Sequence, residues 1–369
     1  MTSESQQAAG RPTDDIAPYL ALAIDRGASD IYFTSNAPIM LRIEGQTHPV
    51  TGGAGQALAP ERIEAFANAI MTPEQQALFR SLREVDFAIR YRNVGRFRVN
   101  VFRQRGSVAM VLRNVGKVPE LADLDMPPIL TDLAMTRRGL VLCVGATGSG
   151  KSTTLAAMIN HRNANQSGHI LTIEDPVEFH HPHRRAIVNQ REIGPDTRSY
   201  ANALRSAMRE APDVVLIGEV RDRDTVEACI QLAGTGHLAL STLHANNAYQ
   251  TLQRIISLFA EEQREQLFMD LSLNLRAIVS QRLVRGRDGK RIAAMEILVN
   301  TPYVADLILK GRIDAVREAM TDTAQGKGMR TFDDSLFELY QSGRIDREVA
   351  LDHADSRDNL ENRIAFDAG

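Results

Sequence analysis

The run Gly145-Ala146-Thr147-Gly148-Ser149-Gly150-Lys151-Ser152-Thr153 sets a lysine and a hydroxyl behind three glycines in the spacing G-x-x-x-x-G-K-[ST]. Each part has a physical task. Glycines reach backbone conformations closed to other residues and let amide N–H groups face one anion. Lys151 is long enough to reach the β- and γ-phosphates of a nucleoside triphosphate. Ser152 offers a hydroxyl oxygen to Mg2+, and a helix starting there turns its positive end to the phosphates. An apolar run (Leu140 to Val144) precedes the glycines and a good helix former (STTLAAMIN) follows them, the strand–loop–helix setting this chemistry requires. Residues 145–153 are expected to bind ATP.

Hydrolysis needs more than binding: a carboxylate near Mg2+ and a group that orients or deprotonates water. Two acidic clusters follow apolar strands, Glu174-Asp175-Pro-Val-Glu178 after ILTI and Glu219-Val-Arg221-Asp222 after DVVLIG. Ligands of open α/β sheets lie at the carboxyl ends of strands, so both clusters fall on the edge that carries the phosphate loop. Gly218 is expected to leave room beside the phosphates. The segment from Gly234 to Asn247 flanks one more strand with His237 and His244, and His244 is placed to sense a γ-phosphate. His180, His181 and His183 lack an accompanying Cys or Asp set, so they are not read as a metal site.

Arg96 and Arg98 alternate with Phe97 and Val99 on one strand, and Arg113 lies on a later one. Either they form an ordinary solvated face, or they are arginine fingers that reach a neighbouring subunit's ATP. Arg205 and Arg209, spaced one helical turn apart before the second acidic strand, fit the same role.

The elements that position these residues fall in two blocks. Residues 1–14 are rich in Ser, Gln, Gly and Pro and read as a disordered tail; Asp14 and Asp15 can cap a first helix, which Gly27 ends. Period-two alternation then marks strands around Ile31, Leu41, Val85, Val99 and Met110, interrupted by a helical stretch from about Pro60 to Leu82. This is a small α+β domain over 15–115. The prolines of 116–137 read as a stiffened interdomain linker. From residue 138 continuous apolar strands (139–144, 169–173, 214–217, 238–242) alternate with helices, the pattern of a mostly parallel α/β sheet covered on both faces. A β-hairpin turns at Asp288-Gly289.

Bulk properties agree. The 369 residues are 43% hydrophobic and 24% charged, which suits two soluble domains, and a net charge of −3 gives no support to nucleic-acid binding. Cys143 and Cys229 sit in apolar runs and read as buried thiols of a reducing compartment. The start of the chain does not read as a secretory signal. No apolar run approaches the ~20 residues of a membrane helix, so direct membrane insertion is not expected.

The motifs GATGSGKS, LTIEDPVE, DVVLIGEVRD and GTGHLALSTLHANN stand in the order of the Walker A, Asp, Walker B and His boxes. Over residues 15–355 the sequence resembles the secretion ATPase superfamily. That resemblance implies a PAS-like N-terminal domain, a RecA-like ATPase domain over 138–355, a short C-terminal tail over 356–369, and a homo-hexameric ring. It implies that Glu178 is the general base, Glu219 the Walker B acid acting on Mg2+, His244 the His-box residue, and the N-domain arginines the cross-site fingers. Assembly ATPases of pili and type II secretion ATPases usually carry a tetracysteine insert and an extra domain, both missing here. The chain is more similar to the compact PilT/PilU family of type IV pilus retraction ATPases. Its TDTAQGKGM stands where PilT proteins carry an AIRxGG-like motif, which points to the accessory, PilU-like branch. Such a protein works in the cytoplasm at the inner-membrane pilus base, with a PilT-like retraction ATPase and a membrane platform protein as partners. An assembly or secretion ATPase, or an ATP-binding structural ring adapter, remains the alternative.

Overall fold

The computed structural model describes residues 16–43, 45–50, 57–91, 94–321 and 328–367. The expected N-terminal tail, the aspartates proposed as a cap and most of TDTAQGKGM lie outside those residues. The chain divides between Lys117 and Val118 into two compact units.

The first unit opens with α1 (Ala17–Asp25), whose chain reversal uses Gly27 at φ 65°. Strands β1 (Asp30–Thr34), β2 (Met40–Ile43) and β3 (Gln46–Pro49) follow. The helical stretch expected from Pro60 to Leu82 is two helices, α2 (Pro60–Ile70) and α3 (Pro73–Leu82). Thr72 separates them. Its hydroxyl accepts from Gln75 N and Gln75 Oε1 accepts from Thr72 N, a capping box with proline at the first helical position. Strands β4 (Glu84–Tyr91), β5 (Gly95–Gln104) and β6 (Ser107–Val115) complete an antiparallel sheet of order β3-β2-β1-β6-β5-β4. Its inward residues, among them Ile31, Phe33, Leu41, Phe97 and Leu112, bury Leu20 and Phe66 from the helices.

Residues 118–137 are not the linker their prolines led us to expect. Leu121, in a 3-10 turn, and Leu130, Leu133 and Ala134, in α4 (Ile129–Met135), are buried in the second unit's core. Pro128 precedes the first turn of α4, where a missing N–H costs nothing.

The second unit continues with β7 (Gly139–Val144), α5 (Lys151–Asn165), β8 (Gly168–Glu174), β9 (Ala186–Glu192), α6 (Tyr200–Ala207), β10 (Val214–Ile217), α7 (Arg223–Gly234), β11 (Leu238–Leu243) and α8 (Ala248–Ser257). Then come α9 (Arg264–Asn274), the hairpin β12 (Leu275–Arg285) and β13 (Arg291–Val299), and α10 (Pro302–Leu309), α11 (Ile313–Thr321), α12 (Phe332–Gln341), α13 (Arg347–Asp352) and α14 (Arg357–Asp367). The sheet order is β13-β12-β7-β11-β10-β8-β9, parallel except for β13. Successive residues of β7 feed opposite cores, Leu140, Leu142 and Val144 on one face and Val141 and Cys143 on the other. That is why the strand reads as one apolar run. Because β7, β8, β10 and β11 are parallel, Val144, Glu174, Ile217 and Leu243 end on one edge.

Two further elements depart from the sequence reading. Strand β9 was not anticipated; it buries Ala186 and Val188 and exposes Ile187. Residues 356–369, expected as a tail, hold α14, whose Leu360 and Ile364 pack with Phe332, Leu336 and Phe337.

Candidate active site

The phosphate loop leaves β7 at Gly145, φ 149°, and enters α5 through Gly150, φ 91°. A Cβ at Gly145 would lie 2.5 Å from Gln281 O, and one at Gly150 would lie 2.7 Å from Gln281 Nε2, so both positions exclude side chains as well as favouring glycine's conformations. Gln281, buried on β12, also accepts from Thr154 Oγ1 at 2.7 Å. Sequence reasoning missed it; it is the prop under the loop.

Lys151 is only 8% exposed, and its Nζ donates to Gly145 O at 2.9 Å and Ala146 O at 3.0 Å. Its ammonium thus rests over the loop's own carbonyls. Burial lowers its pKa, against the opposing pull of Cys143 and the Glu219 carboxylate. Ala146, Thr147, Gly148 and Ser152 face solvent, Thr153 is half-buried, and Ser149 Oγ is buried with no hydrogen-bond partner. α5 has no side-chain cap on its first turn. A glycine-rich loop at a helix N-terminus, an unsatisfied hydroxyl and a lysine held on weak neutral acceptors are built to take an anion.

Of the acidic residues, Glu219 stands two positions beyond β10. Its Oε2 accepts from Arg221 Nε at 2.8 Å and its Oε1 faces His244 Nε2 at 3.3 Å. His244 directly follows β11, and with Gly145, Ala146, Asn246 and Arg254 it lines a cleft of about 510 Å³. Arg254 donates to His244 O at 3.0 Å. The structure therefore brings Gly145, Lys151, Glu219 and His244 together. His237 lies at the opposite end of β11, beside Thr235 and Leu232 O.

In the first acidic cluster Glu174 is the buried member. Its Oε1 accepts from Thr172 Oγ1 at 2.7 Å and its Oε2 from Glu178 N at 3.3 Å; burial raises its pKa. Glu178 itself is exposed, with its backbone moored to Glu174. Gly218 does not open space for phosphates, as its position suggested: a Cβ there would lie 2.9 Å from Tyr200 Oη and 3.3 Å from Glu174 Cα. The Tyr200 hydroxyl fills that gap, its pKa pushed up to about 12 by burial and by the Asp175 carboxylate.

Arg205, on α6, lines a second cleft of about 540 Å³ with Glu219, Arg221 and Tyr200. Arg209 lies past the end of α6, so the two arginines do not share one helix face. Arg96, Arg98 and Arg113 belong to the first unit. Arg98 and Arg113 are direct cross-strand neighbours on β5 and β6, and Asp30, 3% exposed, accepts from Arg113 Nε at 2.9 Å. Like charges placed opposite one another are unfavourable unless countered, and Asp30 supplies the counter-charge.

The three histidines after the first acidic cluster go separate ways. His180 Nδ1 lies 3.2 Å from Gln190 Oε1, His183 Nδ1 accepts from Val188 N, and His181 is buried. Among the described residues no group of three or more His, Cys, Asp or Glu side chains is arranged to hold a metal. An ion held mainly by phosphate oxygens needs no such cage. The hard oxygens of Ser152 and Glu219 suit Mg2+ in that role. Among the described residues no helix is long and apolar enough to cross a membrane.

A family described as type II/IV secretion system protein matches residues 6–329. The chain is 48% identical to the type IV pilus ATPase PilU of Pseudomonas aeruginosa, over 92% of this chain and 89% of that protein. It is 38% identical to the type IV pilus retractation ATPase PilT of the same organism, over 94% of this chain and all (100%) of that one. A crystal structure of the pilus retraction motor PilT with bound ADP superposes with a TM-score of 0.87 at 40% identity, covering 94% of this chain and 99% of that one.

Proposed function

From the premise that this chain belongs to the type II/IV secretion system protein family, we propose how it works as an ATPase of type IV pilus retraction. It acts as a homo-hexamer in which a PAS-like first unit serves a RecA-like second unit. The antiparallel order β2-β1-β6-β5-β4 supports the first assignment. The insertion of β11 between the phosphate-loop strand β7 and the acidic strand β10 supports the second.

The observation that carries the proposal is the convergence of Lys151, Glu219 and His244 on the glycine loop. Lys151 Nζ exchanges the carbonyls of Gly145 and Ala146 for phosphate oxygens, a trade of neutral for charged acceptors that favours the triphosphate. The loop amides and the first turn of α5 take the remaining oxygens. Mg2+, when bound, supplies charge neutralisation at the phosphates, and the Ser152 hydroxyl and Glu219 carboxylate would hold it. Glu178, exposed, orients and deprotonates the attacking water. His244 couples the γ-phosphate to Glu219. Arg96, Arg98 and Arg113, with Arg205 and Arg209, stabilise negative charge across subunit boundaries.

The chain's resemblance to PilU, greater than to PilT, supports an accessory role beside a PilT-like ATPase, on a platform protein at the cytoplasmic face of the inner membrane. The deciding experiment is ATP turnover by the purified protein beside Glu219→Ala, with the oligomer sized in the same samples. Turnover by a hexamer, lost in the variant, supports the motor. Tight ATP binding by a ring with no turnover replaces it with a structural adapter.

A further inference from the structure

Arg221 has no part in the chemistry above, yet it touches both acidic strand ends. Its Nε donates to Glu219 Oε2 at 2.8 Å, and its Nη1 lies 3.9 Å from Asp175 Oδ2, directly after β8. On the other side of Glu219, His244 Nε2 faces Oε1 at 3.3 Å. A carboxylate oxygen has two acceptor positions. The guanidinium takes one on Oε2 and the imidazole stands beside Oε1, so the carboxylate is flanked at both oxygens and keeps an acceptor position open on each.

We propose that Arg221 is a positioning residue for Glu219. It holds the carboxylate in the orientation from which it engages Mg2+, directly or through water, and thereby sets how much Mg2+ tightens ATP binding. The inference rests on the assignment of Glu219 as the Mg2+ acid.

The opposite effect has a physical basis too, since a cation beside a metal site repels the metal. Exposure decides between them. The Arg221 side chain is 57% exposed, so its charge is largely screened by water. Its direction is set by geometry rather than by charge alone: Nε donates to Glu219 while the same planar group carries Nη1 to 3.9 Å from Asp175. The grip should therefore outweigh the repulsion. A lysine keeps the charge but is a single point and cannot span both carboxylates.

The test is the affinity of the full-length protein for a fluorescent ATP analogue, measured with Mg2+ and in EDTA; the ratio is the Mg2+ gain. Loss of an outer hydrogen-bond partner of a metal-binding group typically lowers metal affinity about tenfold or more. Arg221→Gln should reduce the gain by about that factor with the EDTA affinity unchanged, and Arg221→Lys should fail to restore it. In a Glu219→Ala background, Arg221→Gln should add no further loss. An unchanged or larger gain in Arg221→Gln, full restoration by Arg221→Lys, or a loss that persists without Glu219 overturns the proposal. If Glu219→Ala itself keeps the full gain, the assignment of Glu219 fails and this inference with it. Loss of the gain in Glu219→Ala alone, with Arg221→Gln intact, removes only Arg221.

Discussion

Thr154 Oγ1 donates to Gln281 Oε1 at 2.7 Å, joining the helix behind the phosphate loop to a strand 127 residues further along the chain. Both side chains are fully buried, and Gln281 also walls the loop at Gly145 and Gly150. Replacing Gln281 by Leu leaves the Thr154 hydroxyl only its longer bond to Gly150 O at 3.2 Å, at a cost of about 1 kcal/mol. Thermal unfolding should show the loss, and ATP titration should show weakened binding. The double variant Thr154→Val/Gln281→Leu, which removes both polar partners, should recover most of the stability.

Glu178 and Lys151 should separate by assay. Removing a general base typically costs ~10²–10⁴ in rate. Glu178→Gln is expected to lose turnover on that scale and to keep ATP affinity, whereas Lys151→Ala should lose affinity itself. Equilibrium binding beside single-turnover kinetics checks both. Normal single-turnover rates in Glu178→Gln would move the base elsewhere.

His181 sets a pH slope. Burial, and secondarily its neighbour His180, lowers its pKa to about 4, and its Nδ1 is buried without a partner. A folded-state pKa below the ordinary value of 6.5 means that the unfolded chain takes up the proton first as pH falls. This contribution to stability is whole above about pH 6.5 and drains away down to about pH 4, by an amount on the order of 3 kcal/mol. His181→Asn should flatten the fall in melting temperature across that window; an unaltered slope would show that His181 is protonated in the fold.

α14 should matter to the fold despite its polar sequence. Leu360 is 1% exposed among Phe332, Leu336 and Phe337. Leu360→Ala is expected to cost about 2–5 kcal/mol, read by chemical denaturation, with ATP affinity under native conditions unaffected.

How far the sequence disclosed all this depended on how local each cause was. The phosphate loop is specified within nine residues, because the anion fixes both the glycines and the lysine at short range. β7, β10 and β11 were legible because a strand buried on both faces must be continuously apolar. β9, at the sheet's edge, buries one face only and is interrupted by Asn189 and Arg191, so no apolar run announces it. Prolines 127 and 128 suggested a spacer, but proline also opens helices, and the choice between these depends on whether Leu130 and Leu133 find a core. Gln281 and Arg221 could not be read at all. Their roles come from partners brought together by the fold, and a glutamine within a strand or an arginine in a loop looks like any other.

The early start of the second unit has a mechanical consequence. β6 ends at Val115, and Leu121 is already anchored in the second core. Even Pro119 is tethered, its carbonyl accepting from Asn160 Nδ2 at 3.2 Å. Any swivel between the halves must be absorbed by backbone torsions at Gly116, Lys117 and Val118. A joint this short leaves little slack in the backbone, where a twenty-residue tether would leave much.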